Sequence, residues 1–330
     1  MRIAVLGAGA WGSALAINLS KKHQINLWTK DPEHAQEMNE ERINRSFLPG
    51  HALPTSLKIT AALPEAIENA DLALLVVPIA GLRETVRAIA LRKCRVPIIW
   101  GCKGFESGSS KLPHQIVAEE FPDMLPNCGV LSGPSFAEEV AQGLPTALTL
   151  ASKTSDFSRQ IAAELHSPRL RIYTSHDVVG VETGGAVKNV ITIAAGISDG
   201  IGFGHNARAA LITRGLMEIT RLGLGLGGSM NTFMGLAGVG DLILTSTGDL
   251  SRNRKVGLML AEGKSLQDIL NELGHVAEGV HTAQSVLQLG NQLNIEMPIT
   301  QAVCSILHEG VAARSAVEVL LNREQKTEIY

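Results

Sequence analysis

Short apolar runs rich in β-branched residues alternate with helical stretches throughout the first half of the chain. Turn residues bound each run, which is typical of buried strands in an α/β protein. The helical stretches include 11–20, 82–91 and 111–121. The predicted strands are 3–7, 25–29, 57–60, 72–77, 97–102, 128–133, 146–150 and 170–174. This alternation predicts a doubly wound, mainly parallel α/β sheet covered by helices on both faces.

The strand pattern stops after about residue 176, and the remaining sequence predicts helices only. Helices are expected over 177–199 and 206–222, followed by a glycine-rich turn, LGLGLGGS. A glycine-punctuated segment around 231–250 and four or five further helices complete the chain. We therefore predict a dinucleotide-binding α/β domain over residues 1–176 and an all-α substrate domain over residues 177–330.

Charge and length place few further limits on function. The 330 residues contain 29 Lys and Arg against 32 Asp and Glu, which gives a net charge of −3. This balance gives no indication of nucleic-acid binding, so any positive patch must be local. The length allows one large domain or two ordinary ones, and either can bury a substantial core.

The cysteines and the hydropathy profile indicate a cytoplasmic protein. Cys94, Cys102, Cys128 and Cys304 show no metal-ligand spacing, so we predict no metal site and a reducing environment. The first predicted strand begins at Ile3, which leaves no room for a signal peptide. No uninterrupted apolar run reaches the roughly 18 residues of a membrane span, so we expect no membrane insertion.

One lysine stands out in the second half. VETGGAVKNVITIAAGISDG (181–200) reads as a helix that is small or apolar almost all round, with Lys188 in its middle. A helix that is apolar on every side is usually buried. A buried ammonium must find a partner or lose its proton, so Lys188 is a candidate functional group.

The N-terminal sequence MRIAVLGAGAWGSALA contains a dinucleotide-binding motif. Gly7, Gly9 and Gly12 form G-x-G-x-x-G directly after a predicted strand and at the start of a helix. The first glycine makes a tight turn, and the second lets a pyrophosphate approach the backbone at the helix N-terminus. An ordinary glycine-rich βα turn is the alternative, but the position of the motif favours a nucleotide site.

The end of the second predicted strand bears on the choice of cofactor. NAD-specific sites usually place an acidic residue there to bind the ribose 2′-hydroxyl. Here the strand ends in Trp28, Thr29 and Lys30, and only then comes Asp31. A lysine in this position can meet a 2′-phosphate, so we favour NADP, with NAD and a solvated surface lysine as the alternatives.

A second group of positive charges suggests a site for a small anion. Lys103 follows the predicted strand 97–102, and its side chain should emerge at the carboxyl edge of the sheet, where ligands of open α/β folds bind. An exposed loop lysine is the general alternative for this residue type.

The segment GLAGVGDLILTSTGDLSRNRKVG (235–257) adds further candidates. Asp241 follows three closely spaced glycines, and Ser251 is placed to cap the helix that follows. Arg252 and Asn253 then lie in the first turn, where a guanidinium and backbone N–H groups can hold a phosphate. Cations in a first turn oppose the helix dipole, and a bound anion removes that conflict.

Together these segments resemble the NAD(P)-dependent sn-glycerol-3-phosphate dehydrogenases of the bacterial type. The resemblance extends over nearly the whole chain, in order and at compatible spacing. The motifs around Lys188 and Arg252 are far more specific than the nucleotide motif, which many dehydrogenases share. The segments that carry it are GAGAWG (7–12), GCKG (101–104), SGPSFAEEVAQGLPTA (132–147), ETGGAVKNVITIAAGISDG (182–200), GLAGVGDLILTSTG (235–248), SRNRKVG (251–257) and VAEGVHTA (276–283).

The resemblance implies a Rossmann domain followed by an all-helical domain, in a homodimer. It implies reversible hydride transfer between NAD(P)H and C2 of dihydroxyacetone phosphate, which gives the glycerol 3-phosphate from which phospholipid synthesis begins. Lys188 would be the proton donor and acceptor, with Lys103 and Asp241 completing the reacting end. The implied cofactor-binding residues are Gly7, Gly9, Ala10, Trp11, Gly12, Lys30, Lys103, Ala137, Arg252, Val276 and Glu278. The implied substrate-binding residues are Lys103, Gly133, Ser135, Lys188, Asp241, Ser251, Arg252 and Asn253.

The chemistry of Lys188 follows from this reaction. Reduction of a ketone creates an alkoxide, to which a nearby acid must supply a proton, and in reverse the same group takes it. Burial and the Lys103 cation would lower the pKa of Lys188 toward neutrality, whereas Asp241 would raise it and fix its orientation. The alternative is a lysine at a domain edge whose ammonium extends into water.

Two other functions stay open from the residues alone. A related two-domain β-hydroxyacid dehydrogenase would share the N-terminal glycines and a lysine in the helical domain, but it need not carry the Ser-Arg-Asn phosphate motif. A nucleotide-sensing protein would have no use for a desolvated lysine near the nicotinamide. His176, His205 and His281 are candidate acids on general grounds, but none lies in a comparably specific motif, and we interpret each as structural.

Overall fold

A computed structural model describes residues 1–92, 95–274, 277–324 and 327. An eight-stranded sheet and a two-stranded hairpin occupy the first half of the chain. Each predicted strand coincides with an observed strand whose ends differ by a few residues. The strands are β1 Arg2–Leu6, β2 Gln24–Trp28, β3 Ile43–Asn44, β4 Leu48–Ala52, β5 Lys58–Thr60, β6 Leu72–Leu75, β7 Ile98–Trp100, β8 Cys128–Ser132, β9 Thr146–Ala151 and β10 Leu170–Ser175.

The topology of the large sheet confirms the predicted fold class. Its strand order is β10-β9-β8-β7-β6-β1-β2-β5. From β5 to β8 all neighbours are parallel, and their order is the 3-2-1-4-5-6 order of a Rossmann sheet. Only the β8–β9 pair among the strand pairs described in this sheet is antiparallel, and β10 then runs parallel to β9. The sheet is therefore mainly parallel, as the sequence predicts.

Helices cover both faces of the sheet. Along β1, Ile3 and Val5 join a cluster that includes residues of the first helix, whereas Ala4 and Leu6 join a cluster on the opposite face. This alternation places an apolar core on each side of the sheet. The helices of this half are α1 Ala10–Leu19, α2 Pro32–Glu41, α3 Leu63–Ile67, α4 Ile79–Ala90, α5 Pro113–Glu120, α6 Ala137–Gln142 and α7 Ser155–Leu165, with a 3₁₀ turn at Pro122–Asn127.

The residues described after Ser175 form no strand, and helices follow one another as predicted. A third apolar cluster lies among these helices. The helices are α8 Val178–Ile201, α9 Gly204–Gly225, α10 Met230–Phe233, α11 Asp241–Thr247, α12 Arg252–Ala261, α13 Leu266–Leu273, α14 Glu278–Gln292, α15 Pro298–His308 and α16 Ala313–Leu321, with a π-helical turn at Leu236–Gly240. The boundary between residues 176 and 177 stays a prediction.

Helix α8 forms the centre of the helical part. By length and mean hydropathy, 1.2, it could cross a membrane, but 94% of its most apolar window is buried inside the protein. Its glycines allow other backbones to touch it. A Cβ atom on Gly184 would lie 2.6 Å from the carbonyl oxygen of Ala237, and one on Gly196 would lie 2.2 Å from that of Arg254. The helix therefore packs against the π-helical turn and α12 in direct backbone contact.

The predicted turn LGLGLGGS is wrong in its first half, because α9 continues through Gly225. Glycine within this helix serves close packing. A Cβ atom on Gly223 would lie 2.0 Å from the ring of Phe233, and one on Gly225 would lie 2.8 Å from Ile295. The chain leaves the helix only at Gly227, whose φ is +95°.

Candidate active site

The carboxyl edge of the sheet gathers several of the predicted site residues. Gly7 follows β1, Lys30 lies just after β2, Lys103 lies just after β7, and Gly133 follows β8. These four strands are parallel to one another, so their carboxyl ends meet at one edge. Ligands of open α/β sheets bind in the crevice at this edge.

The glycine motif has the geometry that a dinucleotide requires. Gly7 adopts φ +120°, and a Cβ atom on Gly12 would lie 1.9 Å from the Gly7 carbonyl oxygen, so neither position accepts a side chain. By contrast, a Cβ atom on Gly9 would meet nothing within 4 Å, which leaves open space above the turn. Helix α1 has no side-chain cap and no acidic residue in its first turn, so its N–H groups suit a pyrophosphate.

A residue that the sequence analysis missed forms a hydrogen bond with the backbone of this turn. Asn44, on the short strand β3, is fully buried. Its Nδ2 donates to the carbonyl oxygen of Ala8 and to Ser13 Oγ, both at 2.8 Å, and His34 Nε2 lies 3.0 Å from its Oδ1. The β3–β4 hairpin thereby fixes the glycine turn from outside the main sheet.

Several other predicted cofactor and substrate residues lie at the start of α1 and in the segment that follows β8. Trp11 Nε1 donates to Ser135 Oγ at 3.0 Å, which joins the start of α1 to the loop after β8. Gly133 in that loop has φ +142°, and a Cβ atom there would be crowded by β9. Ala10 is the first residue of α1 and Ala137 the first of α6, and these two helices pack together.

Lys30 and Asp31 differ in their surroundings. Lys30 is exposed at the end of β2. Asp31 is the N-cap of α2, and its Oδ1 accepts from the backbone N–H groups of Glu33 and His34 at 3.0 and 3.3 Å. The first acidic residue after β2 is therefore engaged in capping a helix.

Three charged side chains from distant parts of the chain meet next to the carboxyl edge of the sheet. Lys188 Nζ donates to Asp241 Oδ1 at 2.7 Å, and Lys103 Nζ donates to Asp241 Oδ2 at 2.6 Å. The side chains of Lys188 and Asp241 are 6% and 1% exposed, whereas that of Lys103 is 20% exposed. The stem of Lys103 passes Gly185, where a Cβ atom would lie 3.6 Å from it. The buried ammonium of Lys188 therefore has a partner, as its position in the helix requires.

The electrostatics of this triad favour proton exchange at Lys188. Burial lowers the pKa of Lys188 from its ordinary value of 10.5 to about 8, and the Lys103 charge acts in the same direction while Asp241 opposes it. Burial alone would raise the pKa of Asp241, but the two lysines outweigh it and hold that pKa below its ordinary value. Asp241 thus stays ionised near neutral pH, while Lys188 exchanges its proton readily.

The start of α12 has the predicted cap. Ser251 is the N-cap, and its Oγ accepts from the N–H group of Arg254 at 3.3 Å. Arg252 is exposed and forms no hydrogen bond or ion pair with any residue that the structure describes. Asn253 is engaged on both sides, because its Nδ2 donates to Asn189 Oδ1 and its Oδ1 accepts from Gly279 N–H, both at 3.1 Å. Among the described residues, the Arg252 guanidinium at this helix N-terminus therefore has no hydrogen-bond or ion-pair partner, and the next residue, Asn253, is bonded to the neighbour of Lys188.

Glu278, the first residue of α14, adds a carboxylate near these cations. Burial raises its pKa, and the charges of Arg252, Lys103 and Lys188 oppose that shift. These influences place Glu278 in the same electrostatic environment as the triad. The predicted contact Val276 lies outside the described residues, as does Cys94.

The three histidines considered from the sequence interact elsewhere. His176 Nε2 lies 3.5 Å from Ser155 Oγ, His205 Nδ1 accepts from Arg208, and His281 is exposed. In the described part of the chain, none of them forms a hydrogen bond or ion pair with Lys188, Lys103 or Asp241. Their interpretation as structural residues stays a prediction.

Glu182 is a second residue that the sequence analysis did not single out. Its carboxylate is buried on α8 and accepts from Trp100 Nε1 at 2.7 Å and from the backbone N–H of His114 at 2.8 Å. Burial raises the pKa of Glu182, and the His114 ring at 2.5 Å opposes that shift. The carboxylate ties α8 to the end of β7, the strand that leads to Lys103. Its sequence signal was an acidic residue on the otherwise apolar helix of Lys188.

Comparison with known protein families agrees with this geometry. Residues 2–158 match the model of the NAD-dependent glycerol-3-phosphate dehydrogenase N-terminus, and residues 177–318 match that of the C-terminus of the same enzyme. The chain belongs to the NAD-dependent glycerol-3-phosphate dehydrogenase family. The resemblance noted in the sequence is thereby confirmed.

Individual glycerol-3-phosphate dehydrogenases match over the full chain. The glycerol-3-phosphate dehydrogenase [NAD(P)+] of Nitrosospira multiformis is 66% identical over 334 residues, covering 100% of both chains. That of Nitrosomonas eutropha is 58% identical over 99% of both chains. The crystal structure of glycerol-3-phosphate dehydrogenase from Coxiella burnetii superposes with a TM-score of 0.92 at 42% identity, covering 98% of this chain and 99% of that one. The two-part architecture is therefore that of this dehydrogenase family.

Proposed function

We propose that the protein catalyses the reversible, NAD(P)H-dependent reduction of dihydroxyacetone phosphate to sn-glycerol 3-phosphate. The observation that carries this proposal is the Lys188–Asp241–Lys103 triad, in which a buried ammonium with a lowered pKa lies at the edge of a dinucleotide crevice. Family membership supports the same reaction. The bound nicotinamide cofactor would supply the hydride to C2, or remove it in reverse.

In this reaction Lys188 holds the proton that is exchanged with the C2 oxygen. During reduction, its ammonium donates to the oxygen as negative charge develops there, and in oxidation its neutral amine takes the proton from the C2 hydroxyl. Asp241 orients the amine through a hydrogen bond at 2.7 Å. Lys103 keeps Asp241 paired at 2.6 Å when Lys188 is neutral, so proton transfer leaves no isolated buried carboxylate.

The substrate phosphate would lie at the start of α12. Arg252 offers an exposed guanidinium that no described residue pairs with, and the first turn of α12 adds backbone N–H groups. Ser251 would act mainly as the cap of this helix, and Asn253 would keep the turn next to α8 through Asn189. Gly133 and Ser135 would line the opposite wall of the cleft.

One spectrophotometric assay tests the proposal directly. NADPH oxidation should proceed with dihydroxyacetone phosphate and should be at least about tenfold less efficient, in kcat/KM, with unphosphorylated dihydroxyacetone. Efficient turnover of a β-hydroxyacid or its keto form, with none of dihydroxyacetone phosphate, would contradict it. Tight NADPH binding without any turnover would instead indicate a nucleotide sensor.

The exposed Lys30 and the engaged Asp31 favour NADPH over NADH. The ammonium can pair with a 2′-phosphate, whereas the Asp31 carboxylate already caps α2. We expect the KM for NADPH to be lower than that for NADH, and Lys30→Ala to narrow the difference by about tenfold, the value of one charge-assisted bond. Initial rates with both cofactors measure this, and a strong NADH preference in the unmodified enzyme would overturn it.

The lowered pKa of Lys188 predicts opposite pH dependences for the two directions of the reaction. Reduction needs the ammonium, so kcat/KM for dihydroxyacetone phosphate should fall as pH rises through about 8. Oxidation needs the neutral amine, so kcat/KM for glycerol 3-phosphate should rise through about 8. Each profile serves as the control for the other, because unfolding at high pH would lower the rates of both directions. Parallel profiles would contradict the role of Lys188.

Several wider assignments belong to the same proposal. We place the enzyme in the cytoplasm as a homodimer that feeds glycerophospholipid synthesis, and we divide it at residues 176 and 177. The buried free thiols of Cys102, Cys128 and Cys304 support a reducing compartment. The end of the strands at Ser175 and the start of α8 at Val178 support the division.

A further inference from the structure

Arg254 lies two residues after Arg252 in the first turn of α12, but its side chain turns to α8 and away from the cleft. Its Nε and Nη2 donate to Asp199 Oδ2 at 3.1 and 2.7 Å. The side chains of Arg254 and Asp199 are 13% and 11% exposed, so solvent screens this ion pair weakly. The pair therefore joins the start of α12 to the last turns of α8.

The ion pair adds a polar contact to the close packing of α12 against α8. The two helices touch through their backbones, since a Cβ atom on Gly257 would lie 2.1 Å from the carbonyl oxygen of Ile193. Buried apolar side chains of α12, such as that of Val256, also join the cluster that contains Ile193, so apolar packing holds the body of α12 against α8. At the first turn of α12, Arg254 and Asn253 add polar contacts with α8.

We propose that Arg254 is a positioning residue for substrate recognition. Its ion pair with Asp199 holds the first turn of α12 so that the Arg252 guanidinium faces the substrate phosphate. This inference rests on the proposed function, because it assigns Arg252 to the phosphate. Arg254 itself touches α8 and the α11–α12 loop, so it acts through Arg252 and is not a catalytic residue.

Two neighbouring charges provide matched comparisons. Arg208, on α9, donates to the same Asp199 Oδ2 from its Nη1 at 2.9 Å, but it does not belong to α12. Asp249, in the loop before α12, accepts from Arg254 Nη1 at 3.0 Å, and its side chain is 96% exposed. Because exposed ion pairs contribute little, Asp199 is the partner that matters.

The experiment compares Arg254→Met with Arg208→Met in the full-length enzyme. We expect Arg254→Met to raise the KM for dihydroxyacetone phosphate about tenfold while kcat falls less than about threefold, because binding geometry is lost and the proton donor is not. Arg208→Met should change KM less than about twofold, although both variants lose one bond to Asp199. Arg254→Lys, which keeps the charge, should recover part of the loss.

Asp199→Asn is a second test, because it removes the charge of the other partner in the ion pair. It should also raise the KM for dihydroxyacetone phosphate. A wild-type KM in Arg254→Met, or an equal rise in Arg208→Met, would overturn the proposal, since a general loss of packing would affect both. The proposed function is judged separately with Arg252→Ala. If that variant raises KM and Arg254→Met does not, the positioning role alone fails. If the wild-type enzyme does not turn over dihydroxyacetone phosphate, the proposed function itself fails.

Discussion

Replacing Lys188 with methionine should lower kcat by about 10²- to 10⁴-fold, the usual contribution of a general acid or base. Methionine fills a similar volume and removes the amine whose pKa is lowered to about 8. Asp241 keeps its ion pair with Lys103, so the variant leaves no unpaired buried charge. Rates of NADPH oxidation with dihydroxyacetone phosphate measure the effect. NADPH binding should change little, which fluorescence titration can verify.

Lys153→Met is the matched control for this variant. Lys153 is exposed in the loop after β9, outside the cleft, and its replacement should leave kcat and KM unchanged. A thermal melt should show that both variants fold. If Lys188→Met retains more than about a tenth of wild-type turnover, Lys188 has no part in proton transfer and the proposed mechanism fails.

Arg252→Ala should act on binding and leave proton transfer intact. A hydrogen bond to a charged group is worth about 1.5–3 kcal/mol, and about 1.4 kcal/mol corresponds to a tenfold change in affinity. The KM for dihydroxyacetone phosphate should therefore rise about 10- to 100-fold with kcat less affected, because the phosphate is bound both before and during the reaction. Steady-state kinetics at saturating NADPH measure the two constants.

Lys255→Ala serves as the control on the same helix, because Lys255 is exposed and was not assigned to the site. Its KM should stay within about twofold of the wild-type value. The substrate itself provides a second comparison. Arg252→Ala should leave the low activity with unphosphorylated dihydroxyacetone unchanged, and a wild-type enzyme that used both substrates equally well would disprove a phosphate contact.

The sequence predicted the main sheet well because each strand has a strong local signal. Strands such as β6 are continuous apolar runs, buried on both faces, and turn residues bound them. The hairpin around Asn44 lacked such a signal. Strand β3 has only two residues, and Pro49 and Gly50 lie within β4, where both residue types are unusual. The role of Asn44 depends on contacts with the glycine turn, which no local pattern reveals.

The glycine-rich segments show a second limit of local reasoning. Glycine favours turns in short sequence windows, yet Gly223 and Gly225 lie inside α9 because Phe233 and Ile295 occupy the space of their side chains. Likewise, the π-helical turn Leu236–Gly240 was predicted only as a glycine-punctuated segment. In both cases the deciding contacts are tertiary.

The candidate site was predictable in part. The burial of Lys188 followed from the composition of its helix, and the position of Lys103 followed from the edge of the sheet. That both meet Asp241 came from the family resemblance, because Asp241 is 53 residues from Lys188 and 138 from Lys103 along the chain. Glu182 and Arg254 could not be assigned, since their partners come from other elements.

Helix α8 carries both Lys188 and Asn189, and Asn189 binds the residue next to Arg252. Under the proposed function, the distance between the reacting carbon and the phosphate is therefore set by helix α8 and by the hydrogen bond between Asn189 and Asn253. A substrate with more carbon atoms between its carbonyl and its phosphate would place the carbonyl past the amine, and one with fewer would not reach it. Selection would then act on the distance between the carbonyl and the phosphate, and not on the total number of carbon atoms.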